Sequence, residues 1–191
     1  MTRTPSRTFT VTGGSLEVVP TLVQDPQPAE FEALLERRRN LGQDVLDEVW
    51  DGVYHMNPAP HGRHANIQQQ LAVLLDPLAR QAGLLPRVGI FNLGEPRDYR
   101  VPDGGLLRPG PDELYYPTAA LVIEIVSPND KTWEKLDFYA VHNVGELLIV
   151  DPDEQLAHWM GLKQGRYLPV ERSELVDLSA AELSQRIDWP R

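Results

Sequence analysis

The residues of this sequence best placed to do chemistry are two acids on apolar segments and a lysine that follows the second. Asp103 ends Tyr99-Arg100-Val101-Pro102-Asp103, and Glu124 interrupts the run Leu121-Val122-Ile123-Glu124-Ile125-Val126. Lys135 lies on the next segment, which reads as a helix. A carboxylate inside an aliphatic run costs roughly several kcal/mol unless it is paired or holds a metal. Two carboxylates and a lysine meeting at one place could form a metal-dependent hydrolytic site. Magnesium is held by one or two carboxylates and keeps several waters. A nearby ammonium orients or activates such a water, or stabilises negative charge in the transition state. Each member also has a plain structural reading. Glu124 could be a buried glutamate paired with an arginine, Pro102-Asp103-Gly104-Gly105 is also turn sequence, and Lys135 could be a solvated helix charge. The set carries the chemical reading, not any one residue. Glu48, just before a hairpin turn, adds a third carboxylate and taken alone reads as a surface residue.

The elements that must position these groups follow from periodicity. Alternation along 121–126 puts Leu121, Ile123 and Ile125 on one face and Val122, Glu124 and Val126 on the other. A helix over 131–143 places Lys131, Lys135, Tyr139 and His142 on one face, with Trp133, Leu136 and Ala140 on another that we assign to the core. Residues 28–42 read as a helix that starts at Pro28 and stops at Gly42. Asp51-Gly52 joins Asp47–Trp50 to Val53–Met56 as a two-residue hairpin. Ile67, Leu71, Leu74, Leu75 and Leu78 mark a helix from about 62 to 82, which Pro77 would kink or divide. Further strands are expected at 86–93, 100–107, 146–150, 155–160 and 166–170, with a turn at Gly161–Gly165 and a short helix at 179–185. Residues 1–6 read as a tail and 7–19 as an N-terminal hairpin. The expected fold class is α/β or α+β, a mixed sheet flanked by helices in a single domain over 1–191, with its core at about 28–170.

Composition narrows the options. A chain of 191 residues can bury a sizeable core. The absence of cysteine removes disulfides, thiolate catalysis and cysteine-ligated zinc. No signal peptide or bilayer-spanning run is visible, so a cytoplasmic protein with no membrane partner is expected. There is neither a glycine-rich phosphate loop with its lysine nor a Gly-x-Ser-x-Gly elbow. His55, His61 and His64 lack a carboxylate at a telling spacing for zinc. His64 extends the apolar stripe of its helix and reads first as a core histidine, with a substrate-side role as the alternative. The net charge of −10 tells against general nucleic-acid binding, which rests on basic contacts to phosphates. A local basic rim would be required, drawn from Arg37–Arg39, Arg63, Arg87, Arg97, Arg100, Arg108, Lys131 and Lys135.

Several motifs together resemble the Uma2 family, a family of proposed restriction endonucleases in the PD-(D/E)xK nuclease superfamily. They are Asp47–Gly52, Met56–Pro60 with His64, Val101-Pro102-Asp103, Leu121–Pro128, Glu134–Tyr139 and Gly145–Pro152. The resemblance spans about residues 28–160. It implies a restriction-endonuclease-like core, with Asp103 and Glu124 as ligands for magnesium or manganese and Glu48 as a third acidic member. In the wider superfamily a lysine lies two residues after the acid, where this chain has Val126; the family's replacement maps to Lys135. Many relatives carry an aspartate four residues before that lysine, where this chain has Lys131. The implied activity is divalent-metal-dependent endonuclease cleavage, with DNA as substrate, a homodimer as the assembly and no organic cofactor. His64, Lys131, Tyr139 and Arg100 are the candidate substrate-side residues. The alternative is an inactive relative of the same fold that serves as a binding or assembly module.

Overall fold

The computed structural model describes residues 21–24, 29–89, 91–127 and 131–190. The hairpin expected at 7–19 lies outside them. The described residues form two six-stranded mixed sheets, not the one sheet expected. The first contains β1 (Thr21–Gln24), β2 (Glu48–Trp50), β3 (Val53–Met56), β5 (Asn92–Glu95), β6 (Asp98–Arg100) and β8 (Tyr115–Tyr116), in the order β1-β3-β2-β6-β5-β8. The second contains β4 (Leu85–Val88), β7 (Gly104–Leu107), β9 (Leu121–Ile125), β10 (Glu146–Asp151), β11 (Leu156–Lys163) and β12 (Arg166–Val170), in the order β12-β11-β10-β9-β7-β4. One parallel pair in each, β5 with β8 and β9 with β10, makes both mixed.

Two expected strands turn out to be places where the chain changes sheet. The run 86–93 divides into β4 and β5, and the run 100–107 divides into β6 and β7. The second break, Val101-Pro102-Asp103, carries the chain from one sheet to the other and leaves Asp103 at the junction. Continuing the Gly104–Ile123 register of β7 against β9 by one residue brings Asp103 opposite Glu124.

Helix α1 (Ala29–Asn40) ends as expected near Gly42, whose φ of +62° suits a helix terminus. The β2–β3 hairpin turns on Asp51 and Gly52, both at positive φ, as a two-residue turn between twisted strands requires. Helix α2 (Gly62–Gln81) passes through Pro77 without dividing. The carbonyl that Pro77 leaves without a donor belongs to Val73, an exposed residue that water can reach. The helix expected at 131–143 is a 3₁₀ turn (Thr132–Lys135) running into a short α3 (Leu136–Val141). β11 continues through Gly161 to Lys163, so the turn to β12 is shorter than expected. Strands β11 and β12 extend the sheet that carries Glu124. Helix α4 (Ala180–Arg186) opens on a capping box between Ser179 and Glu182.

The central strands of the second sheet, β9 and β10, are buried on both faces. Leu121, Ile123 and Ile125 meet Ile67, Leu71 and Leu75 of α2, together with Trp159 and Leu183. Val122, Leu147 and Ile149 on the opposite face meet Tyr139 of α3. Glu124 projects into this second layer, as alternation requires. Among the described residues no helix is long and apolar enough to cross a membrane.

Candidate active site

The junction of the two sheets gathers Glu48 from β2, Asp103 from the β6–β7 crossover, Glu124 from β9, Lys135 from the 3₁₀ turn, Tyr139 from α3 and His64 from α2. The Lys135 ammonium lies 3.1 Å from Glu48 Oε1 and 3.1 Å from Glu124 Oε1, and donates to Glu124 Oε2 at 3.3 Å. The Tyr139 hydroxyl donates a short hydrogen bond to Glu124 Oε1. Glu48 is not the surface residue its isolated position suggested: it is 2 % exposed. Its Oε1 accepts from Val101 N and its Oε2 from Trp50 Nε1, both at 2.8 Å. Asp103 Oδ2 accepts from Ile125 N at 2.8 Å and lies 3.0 Å from His64 Nε2, while Gln68 donates to the Asp103 carbonyl at 2.6 Å. Backbone donors thus hold two of the carboxylates at the place where the chain changes sheet. Trp50 and Gln68 were not singled out from the sequence; Trp50 follows Glu48 by two residues in one strand and so shares its face.

Charge at the junction is unbalanced. Three carboxylates face one ammonium. Burial raises the Glu124 carboxyl to about 8; Lys135 and the Tyr139 hydrogen bond oppose the rise, and Asp103 and Glu48 add to it. The two glutamates and Asp103 hold Lys135 firmly protonated against its own burial. Burial and the neighbouring carboxylates push the Tyr139 hydroxyl up, so it acts as a donor. Another positive charge would relieve the excess. The three carboxylates offer oxygen donors of the kind that a hard divalent cation such as magnesium or manganese takes. As the side chains stand, no group of three or more His, Cys, Asp or Glu among the described residues is spaced to hold a metal ion. The Lys135 ammonium instead spans Glu48 and Glu124.

Other candidates fall elsewhere. Arg100 is not on a rim. It is buried, donates to Val49 O and Asp98, and lies 4.5 Å from the Trp50 ring centre and 3.9 Å from that of Phe138. Arg63 pairs with Asp153, and Arg87 with Asp112. Lys131 lies 5.5 Å from the Trp50 ring centre. His142 packs on Phe138 and its Nδ1 donates to Pro117 O at 3.0 Å, away from the cluster. Trp133, assigned to the core, is 57 % exposed. An open pocket of about 530 Å³ lined by Tyr54, Tyr99, Tyr115, Leu114, Arg39 and Asp44, among others, includes none of the cluster residues. Its one buried acid, Asp47, is held by Arg38, so no chemistry converges there.

Comparison with known proteins bears on this arrangement. The Uma2 family, described as "putative restriction endonuclease", matches residues 28–189. The chain belongs to the Uma2 family. The structure is also similar to the crystal structure of "a putative nuclease belonging to DUF820" from Anabaena variabilis, with a TM-score of 0.62 and 18% sequence identity over 75% of this chain and 92% of that one. That likeness shows a shared fold. No curated protein matches the chain. Two residues after Glu124, just past the end of β9, stands Val126, a half-buried residue packed in the apolar layer, while the ammonium beside Glu124 is that of Lys135 on the 3₁₀ turn.

Proposed function

We propose that this protein is a divalent-metal-dependent endonuclease acting on DNA. The observation that carries the reading is the pairing of Glu48 and Glu124 with one ammonium at the sheet junction, with Asp103 near enough for its charge to act on both Glu124 and Lys135. Asp103 and Glu124 are the proposed ligands for magnesium or manganese. When bound, the ion supplies a coordinated water of lowered pKa and neutralises charge on the scissile phosphate. The protein's own groups orient the rest. Ile125 N and His64 fix Asp103 Oδ2, and Tyr139 fixes Glu124 Oε1. Glu48 has both oxygens committed, to Val101 N and to Trp50, so its role is to position Lys135. Lys135 moves off Glu124 toward the phosphate, where its charge stabilises the transition state.

The family description supports nuclease activity, and the carboxylate oxygens support the hard cation. The test is cleavage of supercoiled plasmid with magnesium or manganese and with chelator. Nicked or linear product that requires metal and disappears in Glu124→Ala, with the fold intact by circular dichroism, is expected. A wild-type protein that neither binds metal nor cuts, and a Glu124→Ala chain that unfolds, would make Glu124 structural and leave a binding module on a nuclease fold.

A further inference from the structure

The cations that surround the carboxylate cluster differ in what holds them. Lys135 is paired with Glu48 and Glu124 and is assigned to the scissile phosphate itself, Arg100 is buried on Asp98 and Val49 O, and Arg63 is tied to Asp153. Lys131 is held by little. Its one ion pair among the described residues is with the exposed Glu134 at 3.8 Å, beyond hydrogen-bond reach, and its side chain is one-third exposed. Its position is nevertheless fixed. It immediately precedes the 3₁₀ turn that delivers Lys135 into the cluster, and its ammonium lies 5.5 Å from the ring centre of Trp50. Trp50 is the residue whose N–H holds Glu48 Oε2, so Lys131 stands over the outer wall of the cluster. A strand of phosphates approaching that cluster meets three carboxylates on a chain of net charge −10. It needs a local, uncommitted positive charge beside the site. Lys131 has the placement and the freedom, and a lysine suits it because its ammonium acts as a mobile point charge.

We propose that Lys131, seated on Trp50, is the contact for a DNA backbone phosphate next to the scissile one, a positioning residue that offsets the acidity of the site. The proposal rests on the nuclease reading. Its signature is electrostatic. Each phosphate contact contributes about 0.9 to the slope of log affinity against log salt concentration on duplex DNA. Losing one contact should therefore weaken binding about eightfold at ~0.1 M salt relative to ~1 M.

The experiment measures binding of labelled duplex to the full chain in calcium across a potassium chloride series, for wild type, Lys131→Gln and Lys131→Arg. Thermal melting with and without calcium is recorded for each. The expected result is a slope lower by about 0.9 in Lys131→Gln. Lys131→Arg should restore the slope, and the calcium-induced rise in melting temperature should match wild type in both. Wild-type binding with an unchanged slope in Lys131→Gln would overturn the Lys131 contact and leave the nuclease reading standing. So would a loss in Lys131→Gln that Lys131→Arg repeats. Absence of wild-type DNA binding at every salt concentration would overturn both.

Discussion

Glu124→Gln in the metal-free protein isolates the charge imbalance on which the site reading depends. The substitution keeps the size of the side chain and an acceptor for Tyr139, and removes the negative charge that Glu124 takes on when it ionises. In the folded protein the Glu124 carboxyl titrates at about 8 in place of its ordinary 4.5, with burial as the main cause. An acid whose value is raised on folding favours the folded state while protonated. Its ionisation therefore removes stability progressively as the pH climbs from 4.5 to about 8. At ~1.4 kcal/mol per pH unit the whole span is worth at most about 5 kcal/mol, and about 2 kcal/mol is a reasonable expectation once the site relaxes. Lys135, whose value is raised, keeps its contribution constant over this window and loses it only at far higher pH. Urea unfolding of wild type and Glu124→Gln in chelator, from acid to mildly alkaline pH, reads the difference directly. Glu124→Gln should gain on wild type by about 2 kcal/mol between pH ~4.5 and pH ~8.5. A gap that stays flat, or that moves in favour of wild type as the pH rises, would mean that the Lys135 pairing outweighs burial and that the site has no charge to share with a cation.

Trp50→Phe keeps an aromatic ring beside Arg100 but leaves buried Glu48 Oε2 without its donor, and should cost about 1–3 kcal/mol in urea unfolding. Gly105→Ala should destabilise by about 1–3 kcal/mol in the same assay, since its Cβ would lie 2.7 Å from Leu121 O and 3.0 Å from the Phe91 ring, forcing β7 from β9 beside the site. A two-fold dimer, which would match the symmetry of duplex DNA, should appear as twice the chain mass by light scattering at micromolar concentration. Pro86 in β4 and Pro169 in β12 lack the N–H that a further strand would need, so the dimer should not form by extending the second sheet.

Where local pattern decided the outcome, the sequence was legible. Alternation alone put Glu124 on the face opposite Leu121, Ile123 and Ile125, and Asp51-Gly52 fixed the hairpin that presents Glu48. The sheet change at Val101–Asp103 was not legible, because an extended segment reads as continuous strand whichever sheet its ends join. Trp133 was misplaced through its period. In a 3₁₀ turn, residues three apart align, so Thr132 and Lys135 face inward together and Trp133 turns to solvent. The burial of Arg100 depends on Trp50 and Phe138, rings far from it in the chain and from each other, and no spacing encodes their meeting. The burial of Glu48 was hidden for the same reason, since Val101 N and Lys135 reach it from distant segments.

The most direct measurement is the anomalous difference map of a crystal of this protein soaked in manganese. A single peak is expected within about 2.0–2.6 Å of carboxylate oxygens of both Asp103 and Glu124, with the Lys135 amine withdrawn from Glu124. A site without a peak at saturating manganese, with the Lys135 ammonium still spanning Glu48 and Glu124, would contradict the metal-dependent reading.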